Sequence, residues 1–416
     1  MAMRRSLSLS ALRGNARSWL RGGIILAIAA LIAAPVLCVS VAGVLRGSRP
    51  ALALKWMPAD AEAGANLASL VVNADSSPEV RAQARAAAIA ALESNPMAVA
   101  AFRALGTAAD AEGNSAMALR YYSASERLSR RDQATQAWFI LYDFRRGAPE
   151  QAVHHFDIAL RTSRERWDTL LPLLVRLSSA PTMVRPLRRL AETRPPWWPL
   201  FAANLVSNGE PLNNVVALTH GLLDASNAEG ALLTEILLAR LVAANRIDLA
   251  WRLYAEQRPR NPRPGALRDG GFEQTGGLTP FDWQLAQETD LSAMRTTVPG
   301  QGTVLSYSAS EGRTGEAARQ LVRLPPGPHR FQFDSGQIPA ERLQRPHLLV
   351  RCADEAAQVL LDLQPQASGQ SRTRVAARFV VPANCPWQWV VLRVSDLGSS
   401  NPDTPWIDNI AIAPAP

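Results

Sequence analysis

The sequence predicts a multidomain chain of three parts: one transmembrane helix, an all-α helical-repeat region, and an all-β sandwich of the jelly-roll kind. Three observations carry that prediction. Residues 23–45 form an uncharged apolar run. Small and aromatic residues recur at a spacing of 34 between Ala84 and Ala159. Beyond residue 265 the apolar pattern shortens to every second residue, with Gly, Pro, Asn and Ser between the runs. A chain of 416 residues is long enough for two or three parts, each with its own core.

The apolar run reads GGIILAIAALIAAPVLCVSVAGV. At 1.5 Å per residue, about 23 residues cross a hydrocarbon core of about 30 Å. Gly and Pro are more frequent in membrane helices than in soluble ones, so Pro35 is tolerable. Arg4, Arg5, Arg13, Arg17 and Arg21 precede the run, and Arg46 and Arg49 follow it. The positive-inside bias makes residues 1–22 a basic cytoplasmic tail. Residues 46–416 are then periplasmic, on a chain anchored once in an inner membrane. A cleaved secretory signal is the other reading, because Ser40-Val41-Ala42 is a small-x-small sequence. Both readings export the rest of the chain. Cys38 follows the bulky Leu37, which argues against a lipid-modified cysteine and for an inert thiol.

Charge excludes one partner class. The net charge is +8, but the seven arginines of residues 1–49 stand without a single acid. The folded remainder is close to neutral, so no nucleic-acid face is expected. Lys55 is the one lysine in the chain.

The 34-residue spacing pairs Ala118 with Ala152, Tyr122 with Phe156, and Ser125 with Ala159, and extends back to Ala84 and Ala91. Small residues let two helices approach closely. An aromatic four positions on lies on the same helix face and fills the space between repeats. Gly113-Asn114 and Arg146-Gly147 are the expected turns within helix pairs. On these residues the chain resembles the tetratricopeptide repeat (TPR) family. The middle repeat, 99–132, carries Phe102, Leu105, Gly106, Ala118 and Tyr122; the others span 65–98 and 133–166. The third departs from the family pattern, with Phe139-Ile140 in place of Leu-Gly. A degenerate fourth unit is expected at 231–264, with Ala250 and Tyr254. The whole helical region is bounded at 65–257, after a linker at 46–64. The resemblance implies protein binding along a concave groove, lined by Arg103, Thr107 and Asp110 with Ala137, Leu141 and Phe144. The alternative for each is packing against the next helix.

RPRNPRPG at 258–265 is a proline-rich linker that cannot continue a helix. Eight strands are expected in residues 266–416: 303–308, 318–323, 329–334, 347–352, 357–363, 373–381, 388–394 and 406–412. The region opens DGGFEQ (269–274), followed by Pro280-Phe281-Asp282-Trp283, and closes WIDNIAI (406–412). These ends resemble the galactose-binding-like jelly roll of many carbohydrate-binding modules. The resemblance implies that Phe272 and Trp283 fill the core. It also makes Glu273 and Asp408 candidates for a structural calcium, or else hydrogen-bonding residues.

Sugar recognition needs exposed aromatic faces beside polar groups, because a pyranose offers an apolar C–H face for stacking. Trp387, Trp389 and Trp406 are the candidates, and strand alternation puts Trp387 and Trp389 on one face. Cys352 and Cys385 are a candidate disulfide in an oxidising compartment.

No HExxH, GxSxG, phosphate-loop or GxGxxG motif occurs. His154 and His155 are adjacent, so on a helix they point about 100° apart and cannot chelate one metal as an i, i+4 pair would. The sequence therefore predicts a non-enzymatic envelope scaffold with no cofactor beyond the calcium candidate. Its partners would be the membrane, an envelope protein and a polysaccharide. A pure protein scaffold and an unrecognised carbohydrate-active enzyme are the alternatives.

Overall fold

In a computed structural model of the protein, the described residues are 9–73, 75–258, 267–354, 356–395 and 404–415, with side chains from residue 23 onward. The first eight residues of the basic tail and nearly all of the proline-rich linker lie outside them. Fourteen α-helices precede ten β-strands among the described residues. The chain divides into two units. One is residues 1–171 with 195–197; the other is 172–194 with 198–416.

Helix α1 (Leu9–Ser48) contains the apolar run, and its segment Gly23–Ser48 is long and apolar enough to cross a membrane. Ile25, Leu26, Leu31 and Val44 are all exposed on it. The end of α1 is held by its own unit. Ala42 is buried with Ala53 of α2 (Pro50–Trp56) and Ala63 of α3 (Ala61–Val71). The guanidinium of Arg46 meets Glu62 at 2.5 Å. Residues 46–64 are therefore not the expected linker: they hold the end of α1, all of α2 and the start of α3.

The next five helices are α4 (Pro78–Ser94), α5 (Val99–Ala111), α6 (Ser115–Leu128), α7 (Gln133–Arg145) and α8 (Pro149–Thr162). The α5–α6 and α7–α8 pairs repeat at the 34-residue offset, both in their starts and in their ends. Gly113 and Gly147 occupy equivalent turns at φ 74° and 69°, a left-handed conformation that costs a glycine little. Asn114 then caps α6, accepting from the Met117 N–H at 3.1 Å. The three positions Ala84, Ala118 and Ala152 are buried, as are Ala91, Ser125 and Ala159. Gly106 explains the small residue opposite the aromatic: a β-carbon there would lie 2.7 Å from the Tyr122 ring. Tyr122 stacks in turn on Trp138, with ring centroids 4.2 Å apart.

Helix α9 (Trp167–Leu177) runs across the boundary between the units. The second unit continues with α10 (Pro181–Glu192), α11 (Trp198–Asn208), α12 (Leu212–Thr219), α13 (Ala228–Ala243) and α14 (Ile247–Glu256). Ala250 and Tyr254 of α14 are buried, but Tyr254 faces the sandwich, donating to Asp282 at 2.9 Å. The last helices thus belong with the β-domain, a grouping that the expected boundary at 257 does not show.

The strands are β1 (Gln284–Leu285), β2 (Leu291–Val298), β3 (Gly302–Ala309), β4 (Thr314–Val322), β5 (Gly327–Gly336), β6 (His347–Cys352), β7 (Val359–Leu363), β8 (Thr373–Val381), β9 (Gln388–Ser395) and β10 (Trp406–Pro414). They form two antiparallel five-stranded sheets, ordered β1-β4-β9-β6-β7 and β2-β3-β10-β5-β8. Between the sheets lie Phe272, Trp283, Tyr307, Phe331 and Phe333, among smaller apolar side chains. β1 and β2 are additional to the eight expected strands. β2 sends only Leu291 and Ala293 into the core, too weak an alternation to stand out, and β1 is two residues long.

Candidate functional site

The sheet β1-β4-β9-β6-β7 has an outer face whose chemistry follows from strand phase. Val390, Leu392 and Val394 of β9 enter the core with Leu348 and Val350 of β6. Their neighbours Trp389, Val391, Arg393, His347, Leu349 and Arg351 therefore point the other way. Register places Arg393 opposite His347, and Trp389 opposite Arg351.

This face has two halves. Over the first, Glu316 accepts from Arg351 at 2.7 Å and from Arg319 at 3.4 Å. The Arg319 guanidinium sits 4.8 Å from the Trp389 ring centroid and donates to Gln284 at 2.8 Å. Trp389 is half-buried beneath it. The second half is a groove of about 500 Å³, lined by Arg342, Leu343, His347, Leu349, Asp362, Gln364, Arg393 and Ser395. Its floor is a hydrogen-bonded chain. His347 Nδ1 lies 2.7 Å from an Asp362 oxygen, and its Nε2 lies 3.3 Å from Gln364 Nε2. Gln364 also donates to the Arg342 carbonyl at 2.8 Å. With Nδ1 donating to the carboxylate, His347 accepts from the Gln364 amide, so both ring nitrogens are engaged. Ser395 lines the groove but is not the hydrogen-bond partner of this histidine.

The structure corrects two of the three tryptophan candidates. Trp406 is fully buried, its ring against Gly336, where a β-carbon would come within 2.2 Å of it. Trp387 lies on the same side of the sheet as Trp389, as alternation requires, but α14 covers it. Its Nε1 donates to Asp248 at 3.1 Å, and its ring packs 5.7 Å from Trp251 and 5.8 Å from Phe281. Only Trp389 of the three keeps solvent exposure.

Phe272 and Trp283 lie in the core with centroids 5.2 Å apart. A β-carbon at Gly271 would be 3.8 Å from the Glu273 side chain and 3.8 Å from that of Asp408. The Asp408 carboxylate, however, already has a cation. Arg372 bridges it at 2.9 Å to Asp334 at 3.0 Å, and Arg374 donates to Asp334 at 2.8 Å. Asn409 donates to Asp334 as well, at 3.0 Å. Burial alone would raise the Asp334 pKa, but hydrogen bonds from Arg374, Asn409 and Arg372 outweigh it and hold the value at about 2. Burial dominates at Asp408, whose pKa is raised despite the Asn409 N–H and Arg372. Among the described residues no three His, Cys, Asp or Glu side chains cluster as metal ligands. Of the two calcium candidates, Asp408 is thus already paired with Arg372.

Cys352 and Cys385 are joined by a disulfide, with Cα atoms 5.5 Å apart. The groove candidates of the helical unit are mostly tied to neighbouring helices. Arg103 pairs with Asp132 and donates to Ser69 at 2.8 Å. Thr107 is 2.8 Å from the Tyr122 hydroxyl. Asp110 lies 3.9 Å from Arg145, and Phe144 packs edge-on to Phe156. Ala137 and Leu141 of α7 are exposed.

The groove residues Arg393, His347, Asp362, Gln364 and Arg342 were not found from the sequence. Alternation along the expected strands 347–352 and 388–394 marks His347 and Arg393 as outward. Their juxtaposition needs the β6–β9 register, which is not written in either strand.

No protein-family model matches the chain, and neither does any curated protein. Among solved structures it is similar to the enzymatically active domain of bacteriophage CBA120 tailspike protein 4. There the identity is 13%, over 34% of this chain and 20% of that one, with a TM-score of 0.26. The chain thus spans about a fifth of that structure's length. It is also similar to a CBM4 module, at 11% identity over 36% of this chain and 99% of that one, with a TM-score of 0.27. A third is the CBM22-1 xylan-binding domain from Paenibacillus barcinonensis Xyn10C, at 10% identity, 36% and 96% coverage, and a TM-score of 0.26.

Proposed function

We propose that the chain is a membrane-anchored adaptor whose sandwich binds a glycan in the groove on the β9–β6–β7 face. In this reading α1 spans the inner membrane with its N-terminus cytoplasmic. The helical pairs act as tetratricopeptide-type repeats that hold an envelope protein, and the setting is the making or export of surface polysaccharide. The carrying observation is the groove itself. It combines apolar Leu343 and Leu349 with a preset chain of donors and acceptors, the mixture a pyranose needs. Engagement of both His347 nitrogens supports binding over catalysis.

The test is calorimetric titration of the full chain in lipid nanodiscs with β-glucan, xylan and uronate polymers, with calcium and with EDTA. Saturable heat that is unchanged by EDTA is expected, since Arg372 supplies the charge that Asp408 needs. No heat from any polymer, with a folded protein, would remove the glycan part. A second reading, a scaffold that binds only protein, would then stand. The burial of Trp387 and Trp406 favours it, because these tryptophans serve packing and not an open platform.

A further inference from the structure

The groove is not electrically neutral, and its charges are not all answered. Asp362 is held by His347 at 2.7 Å, and Arg342 reaches Gln364 at 3.4 Å with one nitrogen. Arg393 differs from every other cation on this face. Arg319 and Arg351 both meet Glu316, whereas Arg393, which faces Glu316 across the β4–β9 ladder, makes no side-chain hydrogen bond or ion pair among the described residues. It is exposed on β9, the middle strand of the five, and it borders the groove together with Arg342. An exposed guanidinium on the solvent face of an antiparallel sheet is ordinary surface chemistry. It is a good choice for holding a planar anion, because its fork of N–H donors fits a carboxylate through two parallel bonds.

Resting on the glycan reading above, we infer that the groove selects an acidic glycan, with Arg393 pairing the carboxylate of a uronic acid residue. Arg342 stands at the rim as a second cation. Asp362 through its carboxylate and Gln364 through its amide oxygen accept from ring hydroxyls, since both Gln364 N–H groups are already engaged, and Leu343 and Leu349 receive the apolar side of the ring. Asp362 also gives the groove a reason to reject a bare polyanion: its carboxylate repels any acid group placed out of register with Arg393.

The experiment compares polygalacturonate, alginate and hyaluronate with methyl-esterified polygalacturonate and xylan, using the full chain in nanodiscs. Variants Arg393→Ala, Arg393→Lys and Arg319→Ala are run alongside, with thermal melts as the fold control. The expected result is saturable binding of at least one uronate polymer, weakened at least about tenfold by esterification and by Arg393→Ala. Arg393→Lys should fall between, because it keeps the charge and loses the two-point fit. Arg319→Ala should bind as the parent does. Raising salt from about 50 mM to about 0.5 M should weaken the uronate alone, by screening the pair. Equal affinity for the acid and its ester, or uronate binding that survives Arg393→Ala, overturns this inference and leaves glycan binding in place. Binding of none of the five polymers overturns this inference, and if β-glucan fails to bind as well it overturns both.

Discussion

Around α3 to α5 the helices meet through alanines, with Ala84, Ala88 and Ala91 buried on α4 and Ala101 and Ala104 on α5. The sandwich is filled instead by Phe272, Trp283, Tyr307, Phe331 and Phe333. The two cores therefore fail in opposite ways. An alanine seam sets the distance between helices, so added volume is what it cannot accept. An aromatic core buries large areas per residue, so lost volume is what it cannot accept. The helical seam gains by repetition; the sandwich gains from a few large side chains and a covalent cross-link.

Substitutions can break or sharpen that contrast. The largest effect is expected at Trp283: replacing this buried core ring by Ala should cost about 3–5 kcal/mol in urea unfolding of the β-domain. A loss under about 1 kcal/mol would mean that the aromatic core does not behave as described. Reduction of the Cys352–Cys385 bond comes next. Its 33-residue separation predicts a loss of about 4 kcal/mol by the chain-entropy account, read as a lowered unfolding midpoint in dithiothreitol.

Acid should then weaken the sandwich through Asp334. Its pKa is about 2 when folded, below the usual carboxylate value, so its stabilisation is fully present above about pH 4 and is lost as pH falls through 2. About 2 kcal/mol is at stake, and Asp334→Asn should flatten the curve over that window. Asp408, with its raised pKa, acts in the opposite sense, contributing stability at low pH that is lost as pH rises.

Gly106→Ala tests the other core. The added carbon would sit 2.7 Å from the Tyr122 ring and should cost about 1–3 kcal/mol, recovered in part when Tyr122 is shortened to Leu. A neutral result would show that the seam has slack. The smallest effect is expected for Trp389→Ala: half-exposed under Arg319, this ring should change stability by about 1 kcal/mol or less. A response at least about threefold smaller at one tryptophan than at another in the same domain would separate surface from core directly.

Much of the helical unit was legible because its signal is local. Ala118 and Tyr122 sit one helical turn apart, and Gly113 marks the turn before them, so spacing alone places them on one face. Eight strands were legible from alternation, and the terminal segments around Phe272 and Ile407 from the resemblance of their short motifs to a known sandwich family. The tryptophans were not. Alternation correctly puts Trp387 and Trp389 on one side of their sheet, but no local rule says that α14, more than a hundred residues earlier, covers the first and leaves the second open. The partner of Asp408 was out of reach for a related reason: Arg372 comes from a different strand region.

The sequence by itself determined the apolar N-terminal helix, the 34-residue helix pairs, the change to β-structure, and which strand residues share a side. All of these depend on periodicities that neighbouring residues impose on one another. Only the tertiary structure decided which outward residues remain in solvent, which carboxylates are already paired, and that Arg393 stands beside His347 and Arg342 with no ion-pair partner among the described residues. Those are properties of strand register and of surfaces brought together from distant parts of the chain, where burial and charge compensation depend on what arrives opposite and not on what lies adjacent.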